Sequence, residues 1–133
     1  ITCRDWSSDV CSSDLPAKQA RKMILYLYSL DKDYYYGGPA RWLGTYYAVA
    51  PGIAGGDLEK SKRYYQEALA AAPDYLATKV LMAENYAAKA KDRALYDRLL
   101  DEVLAAPDGL LPEAGIEQAV EKKKAARLKA EGF

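Results

Sequence analysis

The chain is predicted to be all-α, with helical hairpins stacked as a short α-solenoid and a capping helix at the C-terminal end. Three observations predict it. Apolar residues recur at alternating three- and four-residue spacing in successive segments, the pattern of amphipathic helices. The segments are punctuated by proline, glycine and aspartate, as at Ala50-Pro51-Gly52, Pro73-Asp74 and Pro107-Asp108-Gly109. Two of them also repeat, because Ser61, Tyr65 and Pro73 map onto Leu95, Leu99 and Pro107 with a common displacement of 34 residues.

That displacement is the period of the tetratricopeptide repeat. Met82-Ala83-x2-Tyr86 stands where the repeat has Leu-Gly-x2-Tyr, and Leu43-Gly44-x2-Tyr47 supplies the pattern for the preceding hairpin. The gap from Tyr47 to Ser61 is longer than that from Tyr86 to Leu95, so the first hairpin carries the longer loop.

In chain order, Pro16 suits a first helical position, and Ala20, Met23, Ile24, Leu27 and Leu30 form the apolar face of a helix ending near Leu30. Tyr34-Tyr35-Tyr36-Gly37-Gly38-Pro39 interrupts it: each glycine costs about 1 kcal/mol relative to alanine in a helix, and Pro39 disfavours helical geometry at Gly38. Pro39 can open the next helix, Ala40 to about Val49. Asp57 is an N-cap for Leu58–Ala72, whose stripe is Leu58, Ser61, Tyr65, Ala68, Leu69 and Ala72. Asp74 is expected to cap a helix to about Lys89, and Asp92 another to about Ala105 with Leu95, Tyr96, Leu99, Leu100, Val103 and Leu104 inward. Pro112 opens a last, polar helix on which Ile116, Ala119, Val120 and Leu128 are the expected buried positions. Its acids come early and Lys122-Lys123-Lys124 late, which suits the helix dipole and a solvated face better than a nucleic-acid patch.

Ile1 to Leu15 differs in kind. It repeats Ser-Ser-Asp without helical or strand period, and Asp-Val-Cys-Ser-Ser-Asp-Leu is one reading frame of a common short-read sequencing adapter. Residues 1–15 are read as a non-native segment, disordered or irregular, and 16–133 as one helical repeat domain truncated at its N-terminus. Both cysteines, Cys3 and Cys11, fall in the excluded segment, so no disulfide, zinc or thiol chemistry is argued from the remainder. The whole chain has 19 basic and 19 acidic residues; excluding Arg4, Asp5, Asp9 and Asp14 leaves 18 and 16, a net of +2. So small an excess does not point to nucleic acid.

Asp31-x2-Tyr34-x-Tyr36-Gly37-Gly38-Pro39-x2-Trp42-Leu43-Gly44-x-Tyr46-Tyr47, then Pro51, Gly55-Gly56-Asp57-Leu58-x2-Ser61, Pro73-x-Tyr75-Leu76 and Ala83-Glu84-x-Tyr86, resembles the TatT family. These are the T components associated with tripartite ATP-independent periplasmic (TRAP) transporters. The resemblance covers roughly Ala20 to Phe133. It implies a periplasmic helical scaffold, lipid-anchored through a cysteine segment absent from this chain. It also implies assembly as a homotrimer with a channel through each subunit, and partnership with the substrate-binding P component.

The chain contains no histidine, which removes the commonest general base. The acid pairs Asp31/Asp33 and Asp97/Asp101 have no apolar setting to separate their pKa values, so they read as solvated surface and the protein as a non-enzyme without cofactor or metal. Binding is the better case. In a repeat of this kind the first helix of each hairpin lines the concave surface, which puts Arg41, Thr45, Ala48 and Val49 opposite Ala77, Val80, Glu84 and Ala87. Arg41 is the candidate for holding a ligand carboxylate through its planar fork, with Thr45 and Val80 lining the site and Glu84 orienting it. The competing reading is that Arg41 and Glu84 pair with each other or face solvent. Tyr47, Tyr65 and Tyr86 fit core positions, whereas Tyr34, Tyr35, Tyr36 and Tyr46 suit a pore mouth or partner surface. The function expected is a T component that binds or channels a small hydrophobic or carboxylated solute and docks with the P component. The alternative is a generic tetratricopeptide-type adaptor.

Overall fold

The computed structural model describes residues 14–133. Of the segment 1–15 read as non-native and irregular, residues 1–13 lie outside the described residues, and Asp14 and Leu15 already belong to helix α1. Among the described residues the fold is helical throughout, with no strand.

Helix α1 (Asp14–Leu30) packs against α2 (Tyr34–Val49). Only part of its predicted stripe is covered: Ala20, Ile24 and Leu27 are half-buried, while Met23 and Leu30 stand exposed. Its link to α3 (Leu58–Ala71) is polar, a hydrogen bond from the Tyr28 hydroxyl to Glu67 beside an edge-on Tyr28–Tyr64 contact.

The break foreseen at the tyrosines lies inside the first turn of α2. Tyr35, Tyr36 and Gly37 take left-handed backbone angles, with φ of 47°, 57° and 69°. Left-handed geometry costs an ordinary residue roughly 1–2 kcal/mol. Gly37 escapes that cost, and a Cβ there would also meet the Ala68 backbone at 3.1 Å. Right-handed helix then runs on through Pro39, which stands in its first turn, where a missing N–H does no harm.

Helix α2 packs closely on α3. A Cβ on Gly44 would lie 2.9 Å from the Tyr65 ring, so the Leu43-Gly44 pattern permits this approach, and the Ser61 hydroxyl donates to the Gly44 carbonyl at 2.7 Å. Asp57 caps α3 as expected, accepting from the Glu59 and Lys60 amides. Of the stripe, Ser61, Tyr65 and Ala68 are fully buried and Leu58, Leu69 and Ala72 partly so.

The next helix departs from expectation at both ends. It starts at Leu76 as α4 (Leu76–Leu81), and Asp74 does not cap it. The Leu76 amide instead donates to the Gln118 side chain at 3.0 Å. After Leu81 the chain widens into a π turn, Met82–Ala87, closed by Ala88 N–H to the Ala83 carbonyl. Its cause is competition for one acceptor: the Leu81 carbonyl takes the Asn85 side-chain amide at 3.0 Å and the Tyr65 hydroxyl at 3.3 Å.

Helix α5 (Arg93–Ala105) is capped by Asp92 and buries Tyr96, Leu99, Leu100 and Val103, while Leu104 stands exposed. A 3-10 turn at Pro112–Ala114 leads into α6 (Gly115–Glu131). Here the predicted face holds only at Leu128. Ile116 and Val120 are exposed and Ala119 with them, whereas Gln118, Ala125 and Leu128 are buried. Gln118 spends both ends of its amide on the entry to α4, accepting from Leu76 and donating to the Asp74 carbonyl just before the helix at 2.7 Å, and this bond pair fixes how α6 is rotated. The core joins α3 to α6 through Tyr65, Leu76, Val80, Tyr86, Leu100 and Leu128.

Candidate functional site

Three elements bring charged and hydroxyl groups together: the start of α2, the α4 helix with its π turn, and the inward face of α6. Arg41 on α2 is half-buried, and burial pulls its guanidinium below the ordinary value. It donates to the Tyr36 carbonyl at 2.9 Å and the Tyr35 carbonyl at 3.4 Å, and lies 4.6 Å over the Tyr75 ring. These contacts hold the left-handed turn, offsetting part of its conformational cost. Among the described residues it makes no ion pair with a carboxylate, although Glu117 and Glu121 lie within electrostatic reach.

The tyrosine turn is also fastened to α6. Tyr36 stacks on Tyr75 with ring centroids 4.8 Å apart and the planes 11° from parallel. The Tyr36 hydroxyl donates to Glu113 at 3.3 Å, and Glu117 accepts from the hydroxyls of Tyr35 and, at 2.6 Å, Tyr75. Two phenol donors favour the charged carboxylate, so Glu117 is held below the usual range, while burial and the Glu117 bond push the Tyr75 phenol up. Tyr34 is exposed at the rim, tilted against Tyr35.

Thr45, one turn beyond Arg41, meets the Arg41 carbonyl at 3.1 Å and the Tyr65 hydroxyl at 2.7 Å. With the Tyr65 contact to Leu81, two hydroxyl protons serve three contacts, so one bond is always given up. Burial pushes the Tyr65 phenol up to about 12, which keeps it a neutral donor at physiological pH. Val80 has no exposed surface and belongs to the core behind this row. Glu84, on the π turn, pairs with Lys124 of α6 at 2.5 Å, so Arg41 and Glu84 neither pair with each other nor face solvent alone. Both nevertheless act on the same groups, the Glu121 carboxyl and the Tyr65 hydroxyl.

Tyr46 stands apart from Tyr34, Tyr35 and Tyr36. It stacks on Trp42 and donates to the Ala54 carbonyl at 3.2 Å, with Arg21 over its ring. Of the other predicted inner positions, Ala48, Ala77 and Ala87 are buried and Val49 is exposed. Sequence reasoning missed Glu117, Glu121 and Lys124. Their spacing of four and three residues was the available signal, but they read as one polar face among several on α6.

A cavity of about 140 Å³ lies elsewhere, between Leu111, Gly115, Gln118 and the Asp108–Lys122 ion pair. Among the described residues no cluster of acids is arranged to hold a metal ion, and no helix is long and apolar enough to cross a membrane.

The family model for the TRAP transporter T-component matches residues 10–132, nearly the whole chain. The chain belongs to that family. Membership associates this T-component with the TRAP transporter system, and the residues of the TatT resemblance acquire physical roles within it. Gly37 admits the left-handed turn, Gly44 admits Tyr65, and Asp57 caps α3. No curated protein matches the T-component chain in a direct search.

Proposed function

We propose that this chain is a transporter-associated scaffold that receives a small carboxylated or hydrophobic solute and docks with the periplasmic P component of a TRAP transporter. The observation that carries the reading is the state of Arg41, a half-buried cation that makes no carboxylate ion pair among the described residues, facing a row of polar groups on two other helices. A cation taken out of water gains most from an anion that supplies the missing partner. Thr45 and Glu84 border that position, Val80 backs it, and Tyr34, Tyr35 and Tyr36 form its rim for a partner surface. Tyr46 belongs to a second surface on the α1 side.

The finer architecture belongs to the same reading: hairpins α2/α3 and α4/α5 stack in the tetratricopeptide manner, and α6 closes the stack. So do the periplasmic location, a lipid anchor and assembly as a homotrimer, which rest on the family. The test is photo-crosslinking from position 34 to a P component encoded beside the gene, together with carboxylate binding to wild type and to Arg41→Ala. Cross-links to the P component and binding lost in Arg41→Ala are expected. A neighbourhood without TRAP components, or capture of peptides with no solute binding, would favour the adaptor reading instead.

A further inference from the structure

Helix α1 is held from one side, by α2 and by the Tyr28–Glu67 bond to α3. Its other side carries a row that the described residues leave bare: Met23, Tyr26 and Leu30 are 71%, 67% and 66% exposed. Their three- and four-residue spacing puts them on one stripe, the pattern of a seam between two helices. A single exposed apolar side chain needs no explanation, whereas three in line form a patch that water disfavours.

The charges beside the stripe decide what fits it. Lys18 and Lys22 lie exposed in the first part of α1, while Asp31 and Asp33 stand exposed just past its end with Lys32 between them. Among the described residues Lys18, Lys22, Asp31 and Asp33 make no ion pair. Arg21, the third cation of the helix, is turned to the Tyr46 ring at 5.6 Å. Nor does the order suit the helix itself: its last turn holds no basic residue, and the two acids follow at the negative end of its dipole. A second α1 laid antiparallel resolves both conflicts. Its basic half covers the acidic end, its dipole runs the opposite way, and Met23 of each copy meets Leu30 of the other, with Lys22 in reach of Asp33. A parallel helix would set like charge on like.

We infer that the outer face of α1 is a self-complementary docking surface for a second copy of this chain, the two helices pairing antiparallel about a two-fold axis beside Tyr26. Such a contact closes at two copies, so it joins subunits in pairs whatever a threefold contact elsewhere does. It is independent of the proposed solute site.

The test is sedimentation equilibrium of the full chain in reductant, which keeps Cys3 and Cys11 from linking copies. An even number of copies is expected, two, or six where trimers also form; one or three copies at every concentration overturns the inference. Tyr26→Glu is expected to separate the pair. Lys22→Glu and Asp33→Lys each set like charges together twice across the axis, so each should weaken pairing about tenfold. Mixed in equal amounts, these two variants should pair with each other as tightly as wild type, because each supplies the charge the other has lost. No weakening in either variant, or no recovery on mixing, means that the copies meet in another way and overturns the antiparallel seam. All three side chains are exposed, so far-UV circular dichroism should match wild type. The wild-type mass decides the matter even if a variant does not fold.

Discussion

Helix α5, of 13 residues, is clearly amphipathic and helix α6, of 17, is polar nearly all round, and the two are set into the molecule by different means. Helix α5 turns its apolar stripe inward, so that Leu100 and Val103 lose all exposure. Helix α6 leaves Ile116 84% exposed and buries Gln118 beside Ala125 and Leu128, with Glu117, Glu121 and Lys124 half-buried along the same side. The difference teaches that burial of methyl groups orients a helix only where no stronger directional demand exists. At α6 the demand is the N-terminus of α4, whose first amide has no internal acceptor and no cap from its own segment. Gln118 supplies the acceptor, and the rest of α6 follows from that anchor.

The largest expected effect breaks the symmetry directly. Leu100→Ala should cost about 2–5 kcal/mol in urea unfolding, as for a fully buried leucine. Ile116→Ala should stay within about 0.5 kcal/mol, as for exposed sites. Equal losses at the two positions would mean that α6 is rotated toward its apolar side.

Next in size is the anchor. Gln118→Ala removes the partner of a buried amide and of the Asp74 carbonyl, and should cost roughly 1–3 kcal/mol. Asp57→Ala should cost about 1 kcal/mol through loss of a true N-cap. Asp74→Ala should fall within about 0.5 kcal/mol, because Asp74 caps nothing. Denaturant midpoints for the three variants rank them.

The smallest effects divide the polar line of α6 by pH. Glu117 is held below its ordinary pKa, so its contribution is present above the ordinary carboxylate value and disappears as pH falls through the depressed one. Glu121 is raised, so its penalty is absent in acid and grows as pH climbs from the ordinary value through the raised one. Thermal unfolding at neutral pH should therefore show Glu117→Gln less stable and Glu121→Gln more stable than wild type. Both differences should shrink in strong acid.

The all-helical character and the positions of α3 and α5 were legible in the sequence because local signals decide them: apolar spacing, Asp57 and Asp92. The tyrosine break was legible because Gly37-Gly38-Pro39 cannot propagate an ordinary helix. The π turn was not, since its cause is the Tyr65 hydroxyl reaching Leu81 from another helix. Nor was the setting of α6, where Ile116 and Val120 gave a correct apolar spacing that a glutamine forty-odd residues from its partner overrides. Arg41 could be singled out as a lone cation on α2. Glu121 could not, because its surroundings exist only once α6 has docked.

The bonds joining the tyrosine turn to α6 and to the 3-10 turn before it connect residues 82 and 77 positions apart along the chain, Tyr35 to Glu117 and Tyr36 to Glu113. Closing so long a loop is among the costlier steps in ordering a small protein, so these links have little reason to form before the intervening hairpins exist. On the ribosome, the first half of the chain emerges with Arg41 still facing no acidic counterpart. Any recognition surface made from both regions comes into being only once α6 has been made and released, which ties competence for a partner to synthesis having passed that helix.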